Sequence, residues 1–203
     1  MTSAVVLSVL GLVAIIGYLG IFIALHVLPT GYHPVRHAVS DYAVGSYGNL
    51  FRRGLILSSA GLLLTTFALF QEPGSPPLKN SSLVLLVLVP VARVGMAMFP
   101  TNLEHEKITR TGLLHYLFAV AAFALTYTAI SQLTPDLMDI SPWSSFGGLL
   151  EVLHWIILVS LVLLVVTMMP HLRRVFGLFE RCFLVSTNIW FIAVGIGIIS
   201  AAS

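Results

Sequence analysis

Few residues in this chain can do chemistry, and the first group lies between Gly31 and Gly48, GYHPVRHAVSDYAVGSYG. This segment holds two histidines, an arginine, a serine and an aspartate, in a chain with only 9% charged residues. Pro34 suits the first position of a short helix, where its fixed φ fits and its missing N–H is not needed. Gly45 suits the stop. Val35, Ala38, Val39 and Tyr42 then form one apolar stripe, with Arg36, His37, Ser40 and Asp41 opposite. The spacing therefore predicts a short amphipathic helix at a membrane surface, with His37 and Asp41 within reach of each other.

The second such residue is Arg93, set inside an apolar run between Pro90 and Pro100. A charged side chain at the centre of a spanning helix costs about 2.5–3.5 kcal/mol on insertion scales, and it tends to face protein or a water-filled cavity. It needs a counter-charge, and Asp41, Glu104 and Glu180 are the candidates. Asp41 is preferred, because its short helix can fold back beneath the bundle. His115 is the third, one turn into a later apolar run. As a neutral imidazole it suits a base, a metal ligand or a hydrogen-bonding role. With Arg181, these residues define an expected ligand-binding set of Ser40, Asp41, Arg93, His115 and Arg181. His115 and Asp41 are the catalytic candidates.

Other constellations are weaker. His33, His37 and Asp41 have the spacing of a metal-binding face, but His33 falls at the cap and points away. A zinc site would need further ligands such as His105 or His115. No metal is expected, and His33 and His37 remain the weak candidates. A Ser40–His37–Asp41 triad fails on geometry, since the histidine must lie between the other two. Glu151 and His154 form one E-x-x-H, whereas a di-iron bundle uses that motif twice with two further glutamates. Bis-histidine haem ligation by His26 and His115 has no supporting pattern. No cofactor is expected.

The elements that must position these groups are helices. The chain has 203 residues, 58% of them hydrophobic, with a mean hydropathy of +0.99. Apolar runs near 4–28, 50–71, 81–99, 112–133, 147–169 and 180–201 each have about the 20 residues a span requires. Runs of that length cross lipid as helices, which satisfy their own backbone groups. The expected fold is all-α: one domain over 1–203, a polytopic bundle of six transmembrane helices with the short interfacial helix after the first span. The fourth connection, LTPDLMDISPW, is expected along the interface with Trp143 as an anchor. Arg36, Arg52, Arg53, Lys107, Arg110, Arg173, Arg174 and Arg181 lie in or beside the odd connections, against Lys79 alone on the even side. The positive-inside rule then places a cell-membrane protein with its odd connections in the cytoplasm and both termini outside. Small residues at Gly17, Gly20, Gly54, Ser58, Gly61, Gly195 and Gly197 are expected at ordinary helix contacts. Cys182 is the single cysteine, so no intrachain disulfide forms.

The motifs HPVRHAVSDYAVG, MFPTN, RTGLLH and GLFERCFLVSTNIW, in that order, resemble the family catalogued as domain of unknown function 998. Ser40, Asp41, Phe99, Pro100, His115, Arg181 and Trp190 match its pattern. Asn102 stands where the family often has an acidic residue, which argues against a carboxylate or metal ligand there. The resemblance implies a small six-span membrane protein and brings no activity with it. The residues themselves point to a polar pocket at the cytoplasmic interface that binds, and acts on if chemistry occurs, a lipid-like or other amphiphilic small molecule. Nucleic acid is not an expected partner. The alternatives are a small transporter or channel with Arg93 and His154 along its path, and a structural or accessory membrane subunit.

Overall fold

The computed structural model describes residues 2–72, 80–103, 107–169 and 171–201. Its helices are α1 (Ser3–Val27), α2 (Gly48–Gln71), α3 (Asn80–Met98), α4 (Arg110–Met138), α5 (Gly147–Val166) and α6 (Phe176–Ala201). All six are long and apolar enough to cross a membrane. Even α3, at 19 residues, reaches about 28 Å at 1.5 Å per residue. Side-chain caps start two of them. Thr2 Oγ1 accepts from the Val5 amide and Thr109 Oγ1 from the Gly112 amide, each satisfying one orphan donor of a first turn. Lys79, Glu104 and His105 lie outside the described residues, and with them an alternative partner for Arg93 and an alternative zinc ligand.

Consecutive helices pack against each other, and α6 closes on α1 and α2. The α1–α2 contact is the most extensive, because Gly11 and Gly61 let the two backbones approach. A Cβ on Gly61 would press on Ile15 and on the Gly11 carbonyl. The α4–α5 contact is the thinnest between consecutive helices. One apolar core, around Trp143, Phe183 and Trp190, fills the end near the fourth connection. A second, around Tyr18, Phe22, Tyr42 and Phe51, fills the end near the first.

Two expectations fail here. The amphipathic helix predicted after Pro34 does not form. Residues 34–36 make a turn, and Val39–Ala43 make a short 3-10 helix. Val39, Asp41, Tyr42 and Ala43 are buried in the bundle, so the segment is a plug and not an interfacial rod. Its backbone finds partners other than helical ones. The amides of His33 and Val35 donate to the Nδ1 atoms of His37 and His33, competing with helix formation. Val35 O accepts from the Leu178 amide of α6. Gly177 permits the approach, since a Cβ there would collide with the carbonyls of Pro34 and His37.

Trp143 is also not an interfacial anchor. It is fully buried, and its indole Nε1 donates to the Val194 carbonyl at 3.1 Å. Helix α4 continues through Pro135 to Met138, which shortens the connection and turns it inward. The indole then fills the space left by Gly197, where a Cβ would run into its ring.

Candidate functional site

Glu180 and Arg181, in the second turn of α6, hold the first connection in place. Glu180 is buried, and its Oε2 accepts from the Val39 amide at 2.6 Å. Arg181 donates from Nε to His26 Nε2 (2.6 Å) and from Nη1 to the carbonyls of His37 (2.8 Å) and Gly177 (2.9 Å). Its Nη2 donates to Tyr42 Oη (3.3 Å), and the guanidinium carbon lies 5.8 Å from the centre of the Tyr42 ring. His26 fits this arrangement as a neutral ring, with Nδ1–H donating to the Phe22 carbonyl and a lone pair on Nε2 for Arg181. Both nitrogens of His26 are thereby committed, which removes it as a haem ligand in this conformation.

Beside this clamp lies a cavity of about 410 Å³. The clamped segment forms one wall, with Ser40, Asp41, Arg36 and His37. The short stretch after α3 adds Thr101 and Asn102, and Arg173 and Glu180 come from the start of the last helical segment. Apolar side chains of α4 and α5, among them Val120, Phe123 and Leu164, and Met168 from the turn after α5 line the rest. The result has a polar wall at one end and an apolar wall reaching along the helices.

His115 lines this cavity from the second turn of α4 and is buried. Its Nδ1 lies 2.7 Å from the Phe99 carbonyl oxygen, so Nδ1 carries the proton that is donated. Its Nε2 is buried and has no hydrogen-bond partner among the described residues. A buried polar atom in that state costs about 1–3 kcal/mol, and here neighbouring atoms cover it from the cavity. In the neutral ring Nε2 is a lone-pair acceptor.

The expected site residues thus divide. Ser40, Asp41 and His115 line the large cavity. Arg93 does not, lining instead an adjoining void of about 20 Å³ with Tyr18, Ser40 and Glu180, room for about one water. Arg93 Nη1 donates to Ser58 Oγ at 2.6 Å. Arg181 lines neither space. His33 and His37 each accept a backbone amide at Nδ1, and among the described residues no group of three or more His, Cys, Asp or Glu could hold a metal ion. No described hydrogen bond joins Ser40 to His37. Glu151 is exposed. His154 stacks near Tyr127 and Trp155, with its Nε2 buried and unpartnered among the described residues.

Four participants escaped the sequence reading. Arg36 was visible on the polar face of the first connection without a role, and Arg173 only as a basic-loop residue. Ser58 was visible only as a small residue at helix spacing. Glu180 was considered solely as an ion partner for Arg93. Its neighbour Arg181 offered the one usable signal, since adjacent opposite charges early in a spanning helix need something to hold.

No curated protein and no solved structure matches the chain. The family described as "Protein of unknown function (DUF998)" matches residues 12–197, nearly the full length. With six apolar helices in one bundle and that match across them, the chain is a multi-pass membrane protein and belongs to this family.

Proposed function

We propose that the protein binds a membrane-resident amphiphile in the 410 Å³ cavity, with the cavity at the cytoplasmic face of the cell membrane. One observation carries the reading: a space with a polar end and an apolar length, walled at its polar end by a buried histidine whose Nε2 has no partner among the described residues. The volume lies within the roughly 300–1,000 Å³ of small-molecule sites, and such sites pair apolar walls with a few placed polar groups. His115 borders the polar end, and its Nε2 is covered in this conformation, so a turn of the ring would bring that atom to the ligand as an acceptor or, in a reaction, as a general base. Orientation rests on the basic residues of the odd connections, which favour the cytoplasmic side.

The test is lipid extraction and mass spectrometry on protein purified in mild detergent. The wild type should retain a lipid enriched over the bulk membrane extract. Ala119→Phe, which places a ring in the cavity, should not retain it. Identical lipid profiles for the two proteins would defeat the proposal. Cysteine labelling checks the orientation in a Cys182→Ser background. Ser46→Cys should react only from inside and Ser141→Cys only from outside, and the reverse pattern would put the cavity on the other face.

A further inference from the structure

We infer that His26 and Arg181 form a proton-operated latch on one wall of the cavity: a proton taken up at His26 Nε2 releases the first connection, residues 31–48, from α6. The latch acts on the chain's own contacts and does not depend on what the cavity holds.

The contact turns on a single lone pair. His26 Nδ1 donates to the Phe22 carbonyl at 2.7 Å, so the neutral ring has only Nε2 left to accept from Arg181 Nε, at 2.6 Å. An arginine keeps its charge at any working pH, so it can only donate here. A proton on Nε2 removes the acceptor and sets two cations at hydrogen-bond distance, where like charges repel. The ring is half-buried, so protons from solvent reach it. The titratable groups against it are Arg181 from α6 and Tyr42 from the first connection, whose ring centre lies 5.6 Å away. Its own helix offers the carbonyl and ring of Phe22. Glu180 is turned to the Val39 amide, and His37 to the His33 amide and the Tyr32 ring. No described ion pair joins His26 to Asp41, Glu180 or another carboxylate, and Arg181 is the charge that acts on the ring.

What the latch holds is a wall. Arg181 also bonds the His37 carbonyl and Tyr42 Oη, and the His26 ring packs edge-on against Tyr42. The same segment supplies Arg36, His37, Ser40 and Asp41 to the cavity. Driving the charged ring and Arg181 apart therefore loosens Tyr42 and the His37 carbonyl together, while Glu180 still holds the Val39 amide as the fixed point. The latched state binds one proton fewer at His26 than the released state. The released state therefore gains as pH falls through the ordinary histidine range, near about 6.5, and the latched state holds above it.

Two readouts test this on protein solubilised in mild detergent, in a Cys182→Ser background. One is a spin label on Ser46→Cys, at an exposed position of the first connection, and the other is the melting temperature. Between about pH 7.5 and about 5.5, one unit either side of the ordinary histidine value, the label should gain a mobile component. Over the same interval the melting temperature should fall by at least about 3 °C, the equivalent of one hydrogen bond to a charged group. His26→Gln, whose amide oxygen accepts from Arg181 at every pH, should keep the label immobile and remove that fall. A wild-type response in His26→Gln would overturn the latch, and so would a wild type in which neither readout changes with pH. His33→Gln, His171→Gln and His115→Phe should each keep the response, which tests the latch even if His26→Gln does not fold. Loss of the response in any of these three would assign it to that histidine instead.

Discussion

Two polar regions sit side by side at one end of this bundle, and they are built on opposite terms. Around Arg181, the guanidinium makes four described hydrogen bonds to His26, His37, Gly177 and Tyr42, and Glu180 takes the Val39 amide. Around His115, one ring nitrogen is bonded to the Phe99 carbonyl and the other has no partner among the described residues, against a cavity. The first region is saturated by its own chain and so holds structure. The second is left incomplete by its chain, and it is where the proposed ligand would contribute. Both matched the family pattern in sequence, so the pattern does not separate the two roles. Hydrogen-bond accounting does.

The largest effect should come from breaking the saturated side. Arg181→Met leaves the Glu180 carboxyl without its charged neighbour and the first connection without its clamp. The expected loss is about 3–5 kcal/mol, of the size seen when one partner of a buried charged network is removed. For a chain of this length that lowers the melting temperature by at least about 6 °C. Protease cleavage within 31–48 should rise in parallel. A melting temperature unchanged from wild type would show that the clamp is not what holds the segment.

An intermediate effect is expected at Arg93, which lies between the two regions. Arg93→Gln removes the described bond to Ser58 and should cost about 1.5–3 kcal/mol, the range for hydrogen bonds to charged groups. Ser58→Ala should cost about 1 kcal/mol. A double-mutant cycle should then show coupling between the two of at least about 0.5 kcal/mol. The same cycle with Asp41→Asn weighs the counter-charge expected from sequence. Stronger coupling of Arg93 to Asp41 than to Ser58 would make the carboxylate the main partner and join the small void to the cavity functionally.

The smallest effect on stability should be at His115. His115→Phe loses one hydrogen bond to Phe99 but also removes an unpartnered buried nitrogen, and these offset each other to within about 1 kcal/mol. Lipid-dependent stabilisation should change while intrinsic stability does not. If His115→Phe is as damaging as Arg181→Met in lipid-free detergent, the contrast between the regions collapses and His115 joins the structural cluster.

Much of the architecture was legible in one dimension. Apolar runs of about 20 residues mark spans because lipid leaves the backbone no partner but its own helix. The helix ends moved where side chains and tertiary contacts intervened. α4 runs past its expected end through Pro135, and α6 begins at Phe176, four residues before its apolar run. The first connection was misread for a related reason. Its apolar stripe has helical spacing, but Val39, the His37 carbonyl and the Val35 carbonyl have partners on α6, more than 130 residues away. Local periodicity carries no record of such a partner.

The sequence by itself determined the class of solvent, the span count and the small set of ionisable residues worth following. Those depend on composition and on the 1.5 Å rise of a helix, which each segment obeys alone. Only the tertiary structure decided which of those residues share a space. Ser40 and Asp41 come from one connection and His115 from α4, and they meet because α6 draws the first connection inward. Arg93 and Arg181 were expected with them, yet one bonds to Ser58 beside a separate void and the other is bonded throughout to its own chain. The physical reason is that a buried charge takes whichever polar groups packing brings within about 3 Å, and packing is a property of the whole bundle.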